Sequence, residues 1–378
     1  MNDRLDRLSK EEHTRILKEV VIPESGLDAL TSQEHPKAIV LAGQPGAGKG
    51  SLARAARREL DFDVLVVDPD SQREYHPESK RWQRESPYSG SQRTNSDAGA
   101  WAGELREQGV AHRVNLIIDT TLGDARSATR MIQGLQKAGY EVEVRAIAAH
   151  SLESEHGVDE RFTKDIDAKG SGRHVPEEYR QRVCRNLPDN LNQVTAETGT
   201  PIRIFNREGA ELYDSRIDSR PPGQVMEEER AARIRDPKLT QSLRDGWKEQ
   251  QTWHRDLPET LPNNRNVDPA TRENLLAERS ANHVVESVER TAREAVDVDH
   301  IIRVRPARIH AGTALGVAGL ALEAYDAADT VRTAIRLRNE GNATAAESEL
   351  IHFGARTIGG WAGAGIGMVA AAAAASSV

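Results

Sequence analysis

The sequence predicts an α/β protein, a mostly parallel sheet with helices on both faces, followed by an all-α C-terminal region. Three observations predict it. A short apolar run, Ala38-Ile39-Val40-Leu41-Ala42, leads into a glycine-rich turn and then a helical run. Apolar strand-like runs alternate with helical ones to about residue 215, the signature of a sheet covered on two sides. After Ser219 that alternation stops, and the chain becomes highly charged, then rich in alanine and glycine.

Residues 1–22 read as an amphipathic helix, with Leu5, Leu8, Ile16, Leu17 and Val20 apolar among charged neighbours. The first strand then runs into Gly43-Gln44-Pro45-Gly46-Ala47-Gly48-Lys49-Gly50-Ser51. Glycines there let successive backbone N–H groups converge on phosphate oxygens, and the helix N-terminus adds positive potential. Lys49 would reach the outer phosphates as a point charge. The strand before and the helix after this loop make it a phosphate cradle, so residues 43–51 are the candidate nucleotide-binding set and the sheet is P-loop NTPase-like. The usual pattern places Ser or Thr directly after the lysine to hold Mg²⁺. Here Gly50 takes that place and Ser51 follows, wording that resembles adenylate-kinase-type loops. Ser51 is therefore the candidate metal ligand, with the remaining coordination from water and ATP.

Further strands are expected at residues 63–68, 114–119, 141–147 and 202–206, and helices near 95–108, 124–138, 151–168 and 176–198. Because the glycine loop follows the first strand, ligands should sit at the carboxyl ends of the strands. Pro221-Pro222-Gly223 then opens the charged region, which contains a helix with Asp268 as N-cap and Pro269 in first position. The expected domains are residues 1–220, a charged helical or linker region 221–306, and an Ala/Gly-rich helical hairpin 307–378. In that last segment Ala355, Gly359, Gly363 and Gly367 recur every four residues, with Gly312 and Gly316 in the preceding helix. Small residues at this spacing give a flat face for close helix approach. No charge occurs from Ile358 to Val378, whereas Glu323, Asp326, Asp329 and Arg332 lie in the helix before it. Two readings stay open for the hairpin, subunit packing and membrane association.

The 378 residues carry a formal net charge of −8 with acids and bases interleaved, so no basic field invites nucleic acid. Aromatic residues make up only 4%, which also argues against base-stacking platforms. The single cysteine, Cys184, excludes an internal disulfide framework, fits a reducing compartment and reads as a helix-packing residue. The charged start, Met1-Asn2-Asp3-Arg4, has no apolar core and gives no sign of a secretory signal.

The second strand ends in Asp68-Pro69-Asp70-Ser71-Gln72-Arg73-Glu74-Tyr75-His76-Pro77. A carboxylate at a strand end beside a phosphate loop faces the transferring group, and can accept a proton from an attacking hydroxyl or organise Mg²⁺. A turn-capping aspartate is the alternative there.

Taken with the loop, the spacing Asp70-x-x-Arg73-x-x-His76-Pro77 resembles the zeta toxin family, toxins of toxin–antitoxin modules that phosphorylate UDP-N-acetylglucosamine. Ile118-Asp119-Thr120-Thr121 is similar to that family's strand ending in acidic-Gly-Thr. Glu160-Arg161-Phe162 and Gly172-Arg173-His174-Val175-Pro176 resemble its two arginine segments. Asn186-Leu187-Pro188-Asp189-Asn190-Leu191 and Ile204-Phe205-Asn206-Arg207-Glu208-Gly209 resemble its closing helix and last strand. The resemblance covers roughly residues 1–215. It implies Lys49 on the β- and γ-phosphates, Asp70 as general base for the sugar 3′-hydroxyl, and Arg161 and Arg173 clamping the γ-phosphate. It further implies acceptor contacts by Arg73, His76 and Thr121. Two departures fall on the acceptor side. The family's sugar-holding glutamate corresponds to a position near Gly99, with Asp97 the nearest acid, and the arginine after acidic-Gly-Thr-x is replaced near Gly123.

The resemblance thus implies an ATP- and Mg²⁺-dependent kinase acting in the cytoplasm on UDP-N-acetylglucosamine, with an antitoxin or immunity protein as partner. Two alternatives accompany it: a secreted effector of the same fold phosphorylating NAD or another nucleotide, and a non-catalytic nucleotide-binding module acting through its C-terminal helices.

Overall fold

Strands Lys37–Ala42 (β1), Leu65–Val67 (β2), Leu116–Asp119 (β3), Glu141–Ile147 (β4), Ile202–Phe205 (β5) and Glu211–Asp214 (β6) form one sheet in the computed structural model. Their order is β2-β3-β1-β4-β5-β6, parallel throughout except for β6, which runs antiparallel to β5. The structure describes residues 6–260 and 267–304, which fall in one compact unit. The Ala/Gly-rich hairpin expected over 307–378 and residues 1–5 of the helix expected over 1–22 lie outside the described residues.

The helices in chain order are α1 (Lys10–Ile16), continued through a π turn into α2 (Ile22–Glu24), α3 (Lys49–Glu59), α4 (Pro69–Gln72), α5 (Ser79–Glu85), α6 (Asn95–Ala111) and α7 (Ala125–Lys137). They continue with α8 (Ser151–Lys169), α9 (Glu177–Thr198), α10 (Pro222–Arg233), α11 (Pro237–Thr260), α12 (Pro269–Asn282) and α13 (Val284–Val304). No helix among the described residues is long and apolar enough to cross a membrane.

The continuous apolar composition of β1 follows from burial on both faces. Ala38, Val40 and Ala42 point into a core shared with Trp101 of α6, Ile132 of α7, Leu187 of α9 and Met226 of α10. Ile39 and Leu41 point the other way, against Leu52 and Ala56 of α3. The period-2 alternation of a strand thus divides one apolar run between two cores.

The expected strand over 141–147 coincides with β4, and the four long helices expected up to residue 198 each appear within a few residues of their expected bounds. β2 and β3 begin later than expected. The side chain of Asn115 replaces part of the ladder there, accepting from Lys37 N at 2.9 Å and donating to Asp63 O at 3.1 Å. The short antiparallel edge β6 carries Glu211 and Asp214 and had no apolar pattern to announce it.

Helices α10 to α13 belong to the same compact unit as the sheet, so the boundary expected at 220 falls inside that unit. Val225 and Met226 of α10 are fully buried in the main core. Pro188 lies inside α9 and has no N–H for the carbonyl of Cys184, one turn earlier. Arg230 of α10 supplies that donor at 2.9 Å. α12 starts as the sequence predicts, with Asp268 Oδ1 accepting from Thr271 N at 3.0 Å and Pro269 in first position.

Candidate active site

Register brings the charged strand ends together. Leu41 of β1 pairs with Asp119 of β3, and Val67 of β2 pairs with Ile118, so the chain leaves all three strands side by side. The glycine loop leaves β1, Asp68 follows β2, and Asp119 closes β3.

The loop is built to receive an anion. Gly46 has φ +81°, and a methyl there would stand 2.0 Å from the carbonyl oxygen of Ser154, so the first turn of α8 packs directly on the loop backbone. Gln44 is buried and holds the loop from the side. Its amide donates to Ala149 O at 2.8 Å and Ser154 Oγ at 2.9 Å, and its Oε1 accepts from Arg230 Nη2 at 2.9 Å. Among the described residues no protein acceptor is found for the N–H groups of Gly46, Gly48, Lys49 and Gly50. Four open donors at a helix N-terminus fit the phosphates of a nucleotide.

Lys49 Nζ donates to Gly43 O at 3.0 Å and stands 3.6 Å from Asp119 Oδ1. Ser51 Oγ donates to Gly48 O at 2.9 Å, closing the first turn of α3. Burial pushes the Asp119 carboxyl up, opposed by the nearby Lys49 ammonium. Burial also raises Asp68, against the pull of Arg173, Lys49 and Arg73. Asp68 caps α4 by accepting from Asp70 N at 2.9 Å.

Asp70 lies between two arginines. Arg73 Nε donates to its Oδ1 at 3.1 Å, and Arg173 forms an ion pair with its Oδ2. Arg73 is in turn fixed by Ser91 O at 3.0 Å, Thr94 Oγ1 at 3.2 Å and Asn95 Oδ1. Burial lowers Arg73, and it brings Arg173 down to about 10, with Asp68 opposing both shifts. Arg161 is exposed on α8, with no hydrogen bond or ion pair among the described residues, and its charge is felt at both Asp119 and Arg73. Thr121 Oγ1 lies 3.2 Å from Tyr179 OH of α9.

The structure therefore brings Lys49, Asp70, Arg73, Arg161, Arg173 and Thr121 around the ends of β1, β2 and β3. His76 and Asp97 turn inward instead. His76 is buried against Trp82, with ring centroids 4.7 Å apart, and burial lowers its pKa. Asp97 is 4% exposed, and its carboxylate takes His13 Nδ1 at 2.9 Å and Leu8 N at 3.3 Å. Docking of α1 thus occupies the Asp97 carboxylate.

Sequence reasoning leaves Asp119 and Tyr179 without roles. The signal for Asp119 is its place at the end of the strand beside the loop strand. Tyr179 has no local signal, since its neighbours come from β3 and from the segment after β2.

The family model described as Zeta toxin matches residues 24–218. A Toxin zeta of Streptococcus pyogenes is 32% identical over 209 residues, covering 52% of this chain and 69% of that protein. A Toxin zeta of Enterococcus hirae is 31% identical over 240 residues, covering 60% of this chain and 80% of that protein. Among solved structures, a chain from the PezAT chromosomal toxin–antitoxin system of Streptococcus pneumoniae superposes with a TM-score of 0.55 at 22% identity. That match spans 66% of this chain and 99% of the other, and it supports the α/β fold.

Proposed function

Because the chain belongs to the zeta toxin family, we propose that it is a kinase that transfers the γ-phosphoryl group of ATP to the 3′-hydroxyl of UDP-N-acetylglucosamine. The observation that carries this reading is Asp70, held between Arg73 and Arg173 beside the open N–H groups of the glycine loop. A triphosphate on the loop would direct its γ-phosphate toward Lys49, and Asp70 would accept the proton of the attacking hydroxyl. Arg173, released from Asp70 as the acceptor enters, would meet the charge spread over the transferring group, with Arg161 on its other side. Little covalent work falls to the protein, so positioning and charge neutralisation account for the rate.

Ser51 and Asp119 are the residues that would hold Mg²⁺, through water and the bound nucleotide, and the metal would neutralise charge on the phosphates. The product, a phosphorylated sugar nucleotide, would be a dead end that withholds a precursor from cell-wall synthesis. On this reading the chain is the toxin of a pair and acts in the cytoplasm, and its partner is an antitoxin or immunity protein.

A second acceptor class is favoured by one observation. Asp97 is engaged by His13 and Leu8, which leaves the acceptor side without the acid expected for an N-acetylated sugar. NAD or another nucleotide then becomes the competing acceptor. Incubating the full chain with ATP, Mg²⁺ and separate UDP-sugars or NAD, followed by mass spectrometry, separates the two. A gain of one phosphate on UDP-N-acetylglucosamine supports the first reading, a gain on NAD alone supports the second, and transfer to neither contradicts both.

A further inference from the structure

α9 fastens the loop after β3 along one face. Asn190 Nδ2 donates to Leu122 O at 2.7 Å. Two turns earlier, Val183 fills the space beside Gly123, where a methyl would stand 3.0 Å from Val183 Cγ2 and 3.1 Å from Thr121 Oγ1. One turn earlier again, Tyr179 OH meets Thr121 Oγ1 at 3.2 Å. Positions 179, 183 and 190 share a helix face, so the packing that crowds position 123 also sets the height of Tyr179.

Tyr179 is half-buried in the first turn of α9, and the Arg182 guanidinium lies over its ring, 5.5 Å from the centroid. The phenol acts electrostatically on Arg73 and Arg173, the two arginines that hold Asp70. Thr121 Oγ1 already accepts from Gly123 N at 3.3 Å, which fixes the threonine hydroxyl. A phenol can donate once and accept twice, so Tyr179 keeps hydrogen-bonding capacity beyond Thr121.

Resting on the kinase reading above, we infer that Tyr179 is an acceptor-binding residue: its hydroxyl, aligned by Thr121, hydrogen-bonds the hydroxylated sugar nucleotide that presents its reacting oxygen to Asp70. The loop that would otherwise carry a side chain toward the acceptor ends in Gly123, and the tyrosine reaches in from the neighbouring helix. Its ring supplies a flat wall and its hydroxyl one directional contact, a combination that selects a sugar or ribose edge over a bare phosphate.

The test is calorimetric titration of UDP-N-acetylglucosamine and of NAD into the full chain holding a non-hydrolysable ATP analogue, for the wild type, Tyr179→Phe and Thr121→Val. Phenylalanine keeps the ring and its packing, so folding is preserved, and the Kd of the ATP analogue is the internal control. Loss of one net hydrogen bond should raise the acceptor Kd by about tenfold. Thr121→Val should raise it in the same direction, and the double variant should add little to Tyr179→Phe. The inference is overturned if the wild type binds an acceptor and Tyr179→Phe binds it equally well, or if the variant weakens analogue and acceptor alike. If the wild type binds neither acceptor, the substrate reading falls, and the inference falls with it.

Discussion

Arg230 donates to Gln44 Oε1 at 2.9 Å across 186 residues of sequence, and with its other terminal nitrogen it satisfies the Cys184 carbonyl that Pro188 leaves without a partner. One guanidinium therefore joins the glycine loop, a proline-interrupted helix and α10. The charged region after residue 220 is part of what holds the nucleotide site in shape.

Arg230→Ala should uncouple these three elements. Gln44 is 1% exposed, so its oxygen would be left buried and unpaired, a cost of about 1–3 kcal/mol. Chemical denaturation should show that loss, and calorimetry should show weaker ATP binding. A chain ending near residue 219 should fare worse, because it also uncovers the face that Val225 and Met226 bury. Wild-type stability in either variant would contradict the coupling.

Gly46→Ala tests the loop itself. The residue has φ +81°, and its new methyl would stand 2.0 Å from Ser154 O. The left-handed conformation alone costs roughly 1–2 kcal/mol in a residue with a side chain, and the clash can be relieved only by moving α8 off the loop. ATP binding measured by calorimetry should be lost or reduced at least tenfold. Binding at wild-type affinity would show that the loop tolerates a displacement the packing forbids.

Stability should fall in mild acid, partly through His174. Burial, reinforced by Arg180, holds its imidazole down to about 4. An unfolded histidine binds its proton near pH 6.5, so between about 6.5 and 4 the unfolded chain carries the extra proton. The stabilisation is complete above that window and is lost as pH falls through it, with a slope of at most about 1.4 kcal/mol per pH unit for this group. Urea titrations from pH 7 to 4.5 should give a shallower slope for His174→Gln than for the wild type. His150, also held at about 4 by burial, should leave a residual slope in that variant. Parallel curves would show that His174 titrates normally in the fold.

What the sequence made legible was local. The glycine loop, the Asp70-x-x-Arg73 spacing and the β4 limits are written in neighbouring residues, and the structure places them accordingly. Long-range choices were hidden. Asp119 reaches Lys49 only because Leu41 pairs with it across two strands distant in sequence. Asp97 turns inward because His13, 84 residues earlier, offers it a ring nitrogen at 2.9 Å. The role of Arg230 depends on a carbonyl freed by a proline in another helix, and β6 gains its pairing from β5 despite a polar composition. Propensity and spacing report what a residue can do, while partners from distant elements decide what it does.

The measurement that bears most directly on the central claim compares Asp70→Asn with the wild type in two assays, ATP binding by calorimetry and phosphate transfer to the acceptor by mass spectrometry. Asparagine keeps the shape and the hydrogen-bonding reach of the side chain and removes its capacity to take a proton. If Asp70 is the base, the ATP Kd should stay within about twofold and the transfer rate should fall by about 10²–10⁴-fold. Transfer at the wild-type rate with ATP binding intact would contradict the account and move the base to another residue.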